Sequence, residues 1–167
     1  WFEIIIISSF VLLTIGGEKP QIESAVKYFT LNILASVIFL TAIAVLYGIT
    51  GTLNMADLSV KVAASEHKDL INITALIFFV GFGIKSAIFP LYFWLPSSYH
   101  TPTAAVSAIF GGLLTKVGVY AMIRVFTLIF IRDAFIDTLL VTIACLTILS
   151  GGLGALVQNN IQKVFSF

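Results

Sequence analysis

The stretch YFTLNILASVIFLTAIAVLYGI, residues 28–49, holds no charged side chain. As a helix rising ~1.5 Å per residue it is long enough to cross a hydrocarbon core of ~30 Å. It exits through Thr50-Gly51-Thr52-Leu53-Asn54, where Gly and Asn relieve the backbone. Further apolar blocks run over about 70–95, 103–130 and 135–157, and a shorter one over 1–15 is closed by Gly16-Gly17. The short block reads as the second half of a truncated span. The pattern predicts an all-α polytopic transmembrane helix bundle, with 1–167 forming a single transmembrane domain.

Composition requires the same solvent. Of 167 residues, 59% are hydrophobic and 10% charged, and mean hydropathy is +1.09, whereas soluble domains carry roughly a quarter charged residues. Nine Lys and Arg stand against eight Asp and Glu for a net charge of +1. With no basic tract, a nucleic-acid partner is not expected. Cys145 is the single cysteine, which excludes an internal disulfide and a cysteine metal cluster. No HExxH, Walker A, Rossmann glycine pattern or paired-cysteine motif occurs, so no nucleotide, haem, zinc or other cofactor is expected. The opening Trp1-Phe2-Glu3 lacks an initiator Met and a basic leader, which reads as a piece of a longer chain.

Polar connectors separate the blocks. Glu18 to Lys27 contains Pro20, a poor helix-interior residue, and is expected to be a loop. Asp57 to Asp69 reads as a solvated loop with a short surface helix, Pro96 to Pro102 as a short connector, and Gln158 to Lys163 as a polar exit. Gly151, Gly152 and Gly154 suit close helix approach. Alternate loops carry Lys19, Lys27 and Lys163 on one side and Lys61, Lys68, Arg124 and Arg132 on the other. This split assigns no cytoplasmic face.

Lys85 lies near the middle of the third full block and Lys116 near the middle of the fourth, too deep to reach the interface easily. A lysine at the bilayer centre costs at least ~2.5 kcal/mol, so such residues normally face protein or a wet cavity and mark ion or proton paths. The competing reading is a structural ion-pair partner. Gly81, Gly83 and Pro90 around Lys85 predict an interrupted helix there. Freed backbone groups at membrane depth are tolerated only against protein or water. Burial and a nearby carboxylate act oppositely on a lysine's proton affinity, so moving the carboxylate switches that affinity. The carboxylate placed for this is Glu3, roughly 20 Å of helix from Gly16, and the sequence equally allows Glu3 as an interfacial residue. Lys116, Tyr120 and Arg124 recur every fourth residue as one polar stripe, suited to a chain of waters or to a hydrogen-bonded seam. His100, in the connector, is a further candidate for proton relay, and His67 sits in the long loop.

Gly83-Ile84-Lys85-Ser86-Ala87-Ile88-Phe89-Pro90-Leu91-Tyr92-Phe93-Trp94-Leu95-Pro96 resembles the signature of the antiporter-like subunits shared by respiratory complex I and Mrp-type cation/proton antiporters. The resemblance continues, in order and spacing, through Thr101-Pro102-Thr103-Ala104-Ala105-Val106-Ser107-Ala108 and Leu113-Leu114-Thr115-Lys116-Val117-Gly118-Val119-Tyr120. Trp1-Phe2-Glu3, Tyr28 with Asn32, Tyr47 through Met55, and Lys163 to Phe167 are more similar to the D-type branch of the Mrp antiporters than to complex I. The resemblance implies two inverted five-helix repeats, each with a broken helix bearing a key lysine, of which this chain holds most of the first. It implies that Glu3 pairs with Lys85 and that Lys116 passes protons inward. Ser97 and Ala105 depart from the family pattern, which often has an acid and a proline there.

The implied protein is a proton-translocating membrane subunit of a Na+/proton antiporter in the cell membrane, an ion transporter and not an enzyme. Its implied partners are lipid, the other subunits of a hetero-oligomeric complex, protons and Na+. A proton-pumping subunit of complex I or of a membrane hydrogenase is the alternative, and a structural scaffold whose lysines only fix helix packing is the rival of another class.

Overall fold

The computed structural model describes residues 2–130, 134–164 and 166–167. Trp1, Arg132 and Phe165, which enter the sequence reading, lie outside the described residues. Among the described residues the chain is helical and contains no strand: α1 (Phe2–Thr14), α2 (Lys19–Thr50), α3 (Met55–Ala64), α4 (Lys68–Ser86), α5 (Trp94–Tyr99), α6 (Ala104–Ile109), a π-helical turn (Phe110–Leu114), α7 (Thr115–Leu128), α8 (Ala134–Leu156) and α9 (Ile161–Val164). Four helical stretches, Lys19–Thr50, Lys68–Ser86, Ala104–Leu128 and Phe135–Leu156, are long and apolar enough to cross a membrane. The protein is thus a polytopic helix bundle.

α2 begins at Lys19, whereas the connector reading placed its start near Tyr28. Pro20 falls in the first helical turn, where a missing amide costs nothing because that amide has no intrahelical partner anyway. Gln21 fastens the entry: its Oε1 accepts from Glu18 N at 3.4 Å, and its Nε2 donates to Thr101 O at 3.1 Å. At the far end Gly51 adopts a left-handed conformation (φ 68°) and returns its amide to Tyr47 O. Asn54 then caps α3, accepting from Ala56 N at 3.0 Å.

α4 is regular through Gly81, Gly83 and Lys85 and stops at Ser86, so the expected interruption falls after the lysine. Ala87 turns left-handed (φ 55°). Its amide donates to Ile84 O at 3.2 Å, and Ile88 N reaches Gly83 O at 3.1 Å. This pair of bonds is the Schellman arrangement that ends many helices. Neither glycine loosens the helix. A Cβ on Gly83 would sit 2.8 Å from Ile88 Cδ1, and one on Gly81 3.4 Å from Ala35 O and Phe39 N. Gly83 therefore admits the Ile88 side chain, and Gly81 lets α4 lie close against α2.

Two hydrophobic clusters organise the bundle. One joins α2, α3, α4 and α7 around Leu46, Leu58, Phe78, Phe82 and Phe126. The other gathers Leu13, Tyr28, Ala87, Trp94, Tyr99 and Phe110 at the α1, α2 and α5 end. Lys85 lies on α4 between Phe82 of the first and Ala87 of the second. α8 buries none of its membrane-window residues. It is tied to the turn after α4 by Phe89 N donating to Thr147 Oγ1 at 3.0 Å.

Candidate functional site

The last turn of α4 carries Lys85, which is only 4% exposed. Its ammonium donates to Ser36 Oγ on α2 at 2.9 Å and lies 4.9 Å from the centroid of the Phe2 ring on α1. A hydrogen bond to a charged group contributes ~1.5–3 kcal/mol and a desolvated cation–π contact up to ~2 kcal/mol. Together they match the ~2.5 kcal/mol or more needed to place a lysine at membrane depth. The negative end of the α4 dipole adds to the same side, since Lys85 sits in the last turn.

Glu3 is exposed on α1, one residue from Phe2. Among the described residues the ion pairs are Lys27–Glu23 and Lys61–Asp57, and Glu3 is in neither. The ammonium rests on a neutral hydroxyl while the carboxylate stands off.

Beside Lys85 lies a cavity of about 20 Å³, lined among others by Phe2, Tyr28, Asn32, Trp94 and Val117. That is room for about one water. Tyr28 and Asn32 belong to a buried polar seam that the sequence reading missed: Ser24, Tyr28, Asn32 and Ser36 recur once per turn along α2, each under 9% exposed. Asn32 Nδ2 donates to Tyr28 O at 2.9 Å. The Tyr28 hydroxyl meets Ser9 Oγ at 2.6 Å, and Ser9 in turn donates to Ile6 O at 2.9 Å. Four polar residues at a spacing of four inside an apolar span were the available signal.

Lys116, Tyr120 and Arg124 do share one face of α7, but all three are exposed, Tyr120 at 68%. Among the described residues, then, Lys116 does not share the burial of Lys85. The reason is Gly118, whose missing side chain lets α7 press on the end of α4: a Cβ there would lie 3.0 Å from Lys85 C and Ser86 N. Residues two away from Gly118 are turned ~200° around the helix, away from α4. Thr115, beside the stripe, is buried instead. Val117 still lines the Lys85 cavity, so α7 borders the site next to Lys116. Tyr120 and Arg124 line an outer groove of about 550 Å³ with Phe39, Phe78 and Ile129.

Ahead of α7 the π turn was not anticipated. It leaves the Phe110 carbonyl to accept from Tyr99 Oη at 3.0 Å. His100 is half-buried, its Nδ1 donating to Pro96 O at 2.6 Å. It lines a cavity of about 500 Å³ with Phe89, Pro90, Ser97, Gln158 and Lys163. Lys85 is not among the residues of that cavity, so the structure does not join His100 to the lysine.

Comparison with known proteins identifies the family of the whole chain. The chain is 49% identical to the D-type Na(+)/H(+) antiporter subunit of Alkalihalophilus pseudofirmus over 168 residues, covering 100% of this chain and 34% of that protein. It therefore spans about a third of the length of the curated relatives it matches. The Mrp complex from Dietzia sp. DQ12-45-1b superposes with TM-score 0.86 at 30% identity, over 98% of this chain and 31% of the other. Respiratory complex I from Thermus thermophilus gives 0.78 at 26% identity, over 99% and 35%. These likenesses and the helices together make this a segment of a multi-pass bacterial membrane protein. The family model for the NADH:quinone oxidoreductase/Mrp antiporter transmembrane segment matches residues 1–167, and with a buried lysine ending a helix inside the bundle, the chain belongs to that family.

Proposed function

We propose that this chain is the lysine-bearing part of a proton-translocating subunit of a monovalent cation (Na+)/proton antiporter. The observation that carries the reading is Lys85, buried at the end of α4 on a hydroxyl with room for one water beside it. Protonation changes at Lys85 follow the approach and retreat of Glu3, because a carboxylate favours the ammonium form. The proton leaves past the Val117 edge of the cavity towards Lys116, whose outward face is where further helices of a longer subunit pack. Tyr120 and Arg124 extend that face, and His100 serves the connector and not the lysine. Gly81, Gly83 and Pro90 shape the broken helix. No substrate bond is made or broken, and the partners are other subunits, lipid, protons and Na+. Identity of 49% to an Na(+)/H(+) antiporter protein against 26% to a complex I chain favours the antiporter over a complex I pump.

The test uses the intact subunit in its complex, in everted vesicles, with cation-driven collapse of a proton gradient as readout. Lys85→Ala and Glu3→Gln are each expected to abolish most exchange while the complex still assembles. Lost assembly with proportionally lost exchange would instead identify the lysine as a scaffold element.

A further inference from the structure

We infer that Ser36 is a positioning residue for Lys85, holding the ammonium beside the water-sized cavity and apart from Glu3. The inference rests on the reading of Lys85 as a proton-carrying group and adds a residue to it. Ser24, Thr41 and Thr50 on the same helix turn their hydroxyls back onto carbonyls four residues earlier, at 2.7, 2.8 and 2.8 Å. Ser36 instead meets the Lys85 ammonium across the helix interface at 2.9 Å. Both residues are buried, Ser36 at 3% and Lys85 at 4% exposure, so neither end of the bond is shared with bulk water.

Packing fixes the register of this bond. Gly81 brings α4 against Ala35 and Phe39, the residues flanking Ser36 on α2, and Lys85 is one turn beyond Gly81 on the same face. Phe2 closes the opposite side of the ammonium, and Glu3 follows Phe2 on α1. The ammonium thus donates to a neutral hydroxyl, and among the described residues it forms no ion pair with the carboxylate of Glu3. A neutral acceptor holds a charge in place without neutralising it. A direct pair with Glu3 would bind the ammonium more strongly, because hydrogen bonds between two ionised groups are the stronger kind. Ser36 therefore keeps the lysine in the unpaired position, next to Tyr28, Asn32 and the cavity, from which a proton can leave through water.

The test compares Ser36→Ala, Ser36→Thr and Ser36→Cys with Lys85→Ala in the intact complex, measuring exchange per assembled complex. Ser36→Ala is expected to lower exchange about tenfold, the loss of one hydrogen bond to a charged group, at parental assembly. Ser36→Thr restores the hydroxyl and most of the exchange. Ser36→Cys, close in size but a poor acceptor, falls between Ser and Ala, and decides the matter if the Thr methyl prevents assembly. Parental exchange in Ser36→Ala, Cys indistinguishable from Ser, or a loss that only follows reduced assembly would each overturn the role of Ser36. If Lys85→Ala itself keeps its exchange, the reading of Lys85 falls instead, and the two failures are told apart.

Discussion

Replacing Gly118 by alanine adds one methyl group at the point where α7 meets the end of α4. The new Cβ would lie 2.7 Å from Ser86 Oγ and 3.0 Å from both Lys85 C and Ser86 N. Optimal carbon contacts are ~3.5–4.0 Å. The hydroxyl can swing to another rotamer, but the two backbone atoms move only if the helices separate by a few tenths of an ångström. Overpacking of this kind costs about 1–3 kcal/mol, and here one of the two displaced backbone atoms belongs to Lys85 itself. The expected outcome for Gly118→Ala is therefore a lower thermal midpoint of the detergent-solubilised complex together with reduced exchange. Adding Ser86→Gly removes the 2.7 Å contact and leaves both 3.0 Å backbone contacts, so it should recover only a minor part of the loss. Gly48→Ala, at a position with nothing within 4 Å of the new Cβ, serves as the control and should be neutral or slightly stabilising, by up to ~1 kcal/mol. Parental stability in Gly118→Ala, or full recovery by Ser86→Gly, would refute the close backbone approach of α4 and α7.

The double variant Glu3→Gln with Lys85→Ala should be less impaired in exchange than the product of the two single losses, since both groups act in one step; losses that multiply would show independent action. Tyr99→Phe removes the donor to the Phe110 carbonyl in the π turn and should cost about 1 kcal/mol of thermal stability, read by the same melting assay. The Lys61 ammonium, 3.0 Å from Asp57 Oδ2, holds the Asp57 carboxyl below its ordinary value through a hydrogen bond. A depressed carboxyl stabilises the fold above its unfolded value and loses that contribution as pH falls through its folded value. This pair is exposed on α3, so Lys61→Ala should return the Asp57 titration, followed by NMR, to the ordinary range with no measurable change in melting.

Apolar run length was sufficient to find the membrane helices, because a hydrocarbon core sets a minimum span that composition alone reveals. It was less informative at their ends. Pro20 reads as a breaker by residue type, yet its place in the first turn makes it harmless, and only the cap geometry decides between the two. The burial of Lys85 followed from its depth. A spacing of four likewise shows that Lys116, Tyr120 and Arg124 share a face, while Gly118 determines which face meets α4. The seam of Ser24, Tyr28, Asn32 and Ser36 went unread for a different reason. Uncharged polar residues barely lower the hydropathy of a span, so a search for charge passes over them. The π turn leaves no compositional mark, and the Tyr99 hydroxyl that meets its Phe110 carbonyl is a contact between separate elements.

A helix that stops inside a bilayer exposes carbonyls, and each left without a partner in hydrocarbon costs several kcal/mol. Here the chain that follows the stop supplies partners for two of them. Ala87 N and Ile88 N return to Ile84 and Gly83, and the Trp94 indole comes back from α5 to give Ile84 O a second donor at 3.0 Å. The Gly83 and Ile84 carbonyls are thus served without solvent. A water-sized space beside this turn has Lys85, Tyr28 and Asn32 on its walls and is not needed by those two carbonyls. Hydration at the lysine can therefore change while the helix end stays where it is.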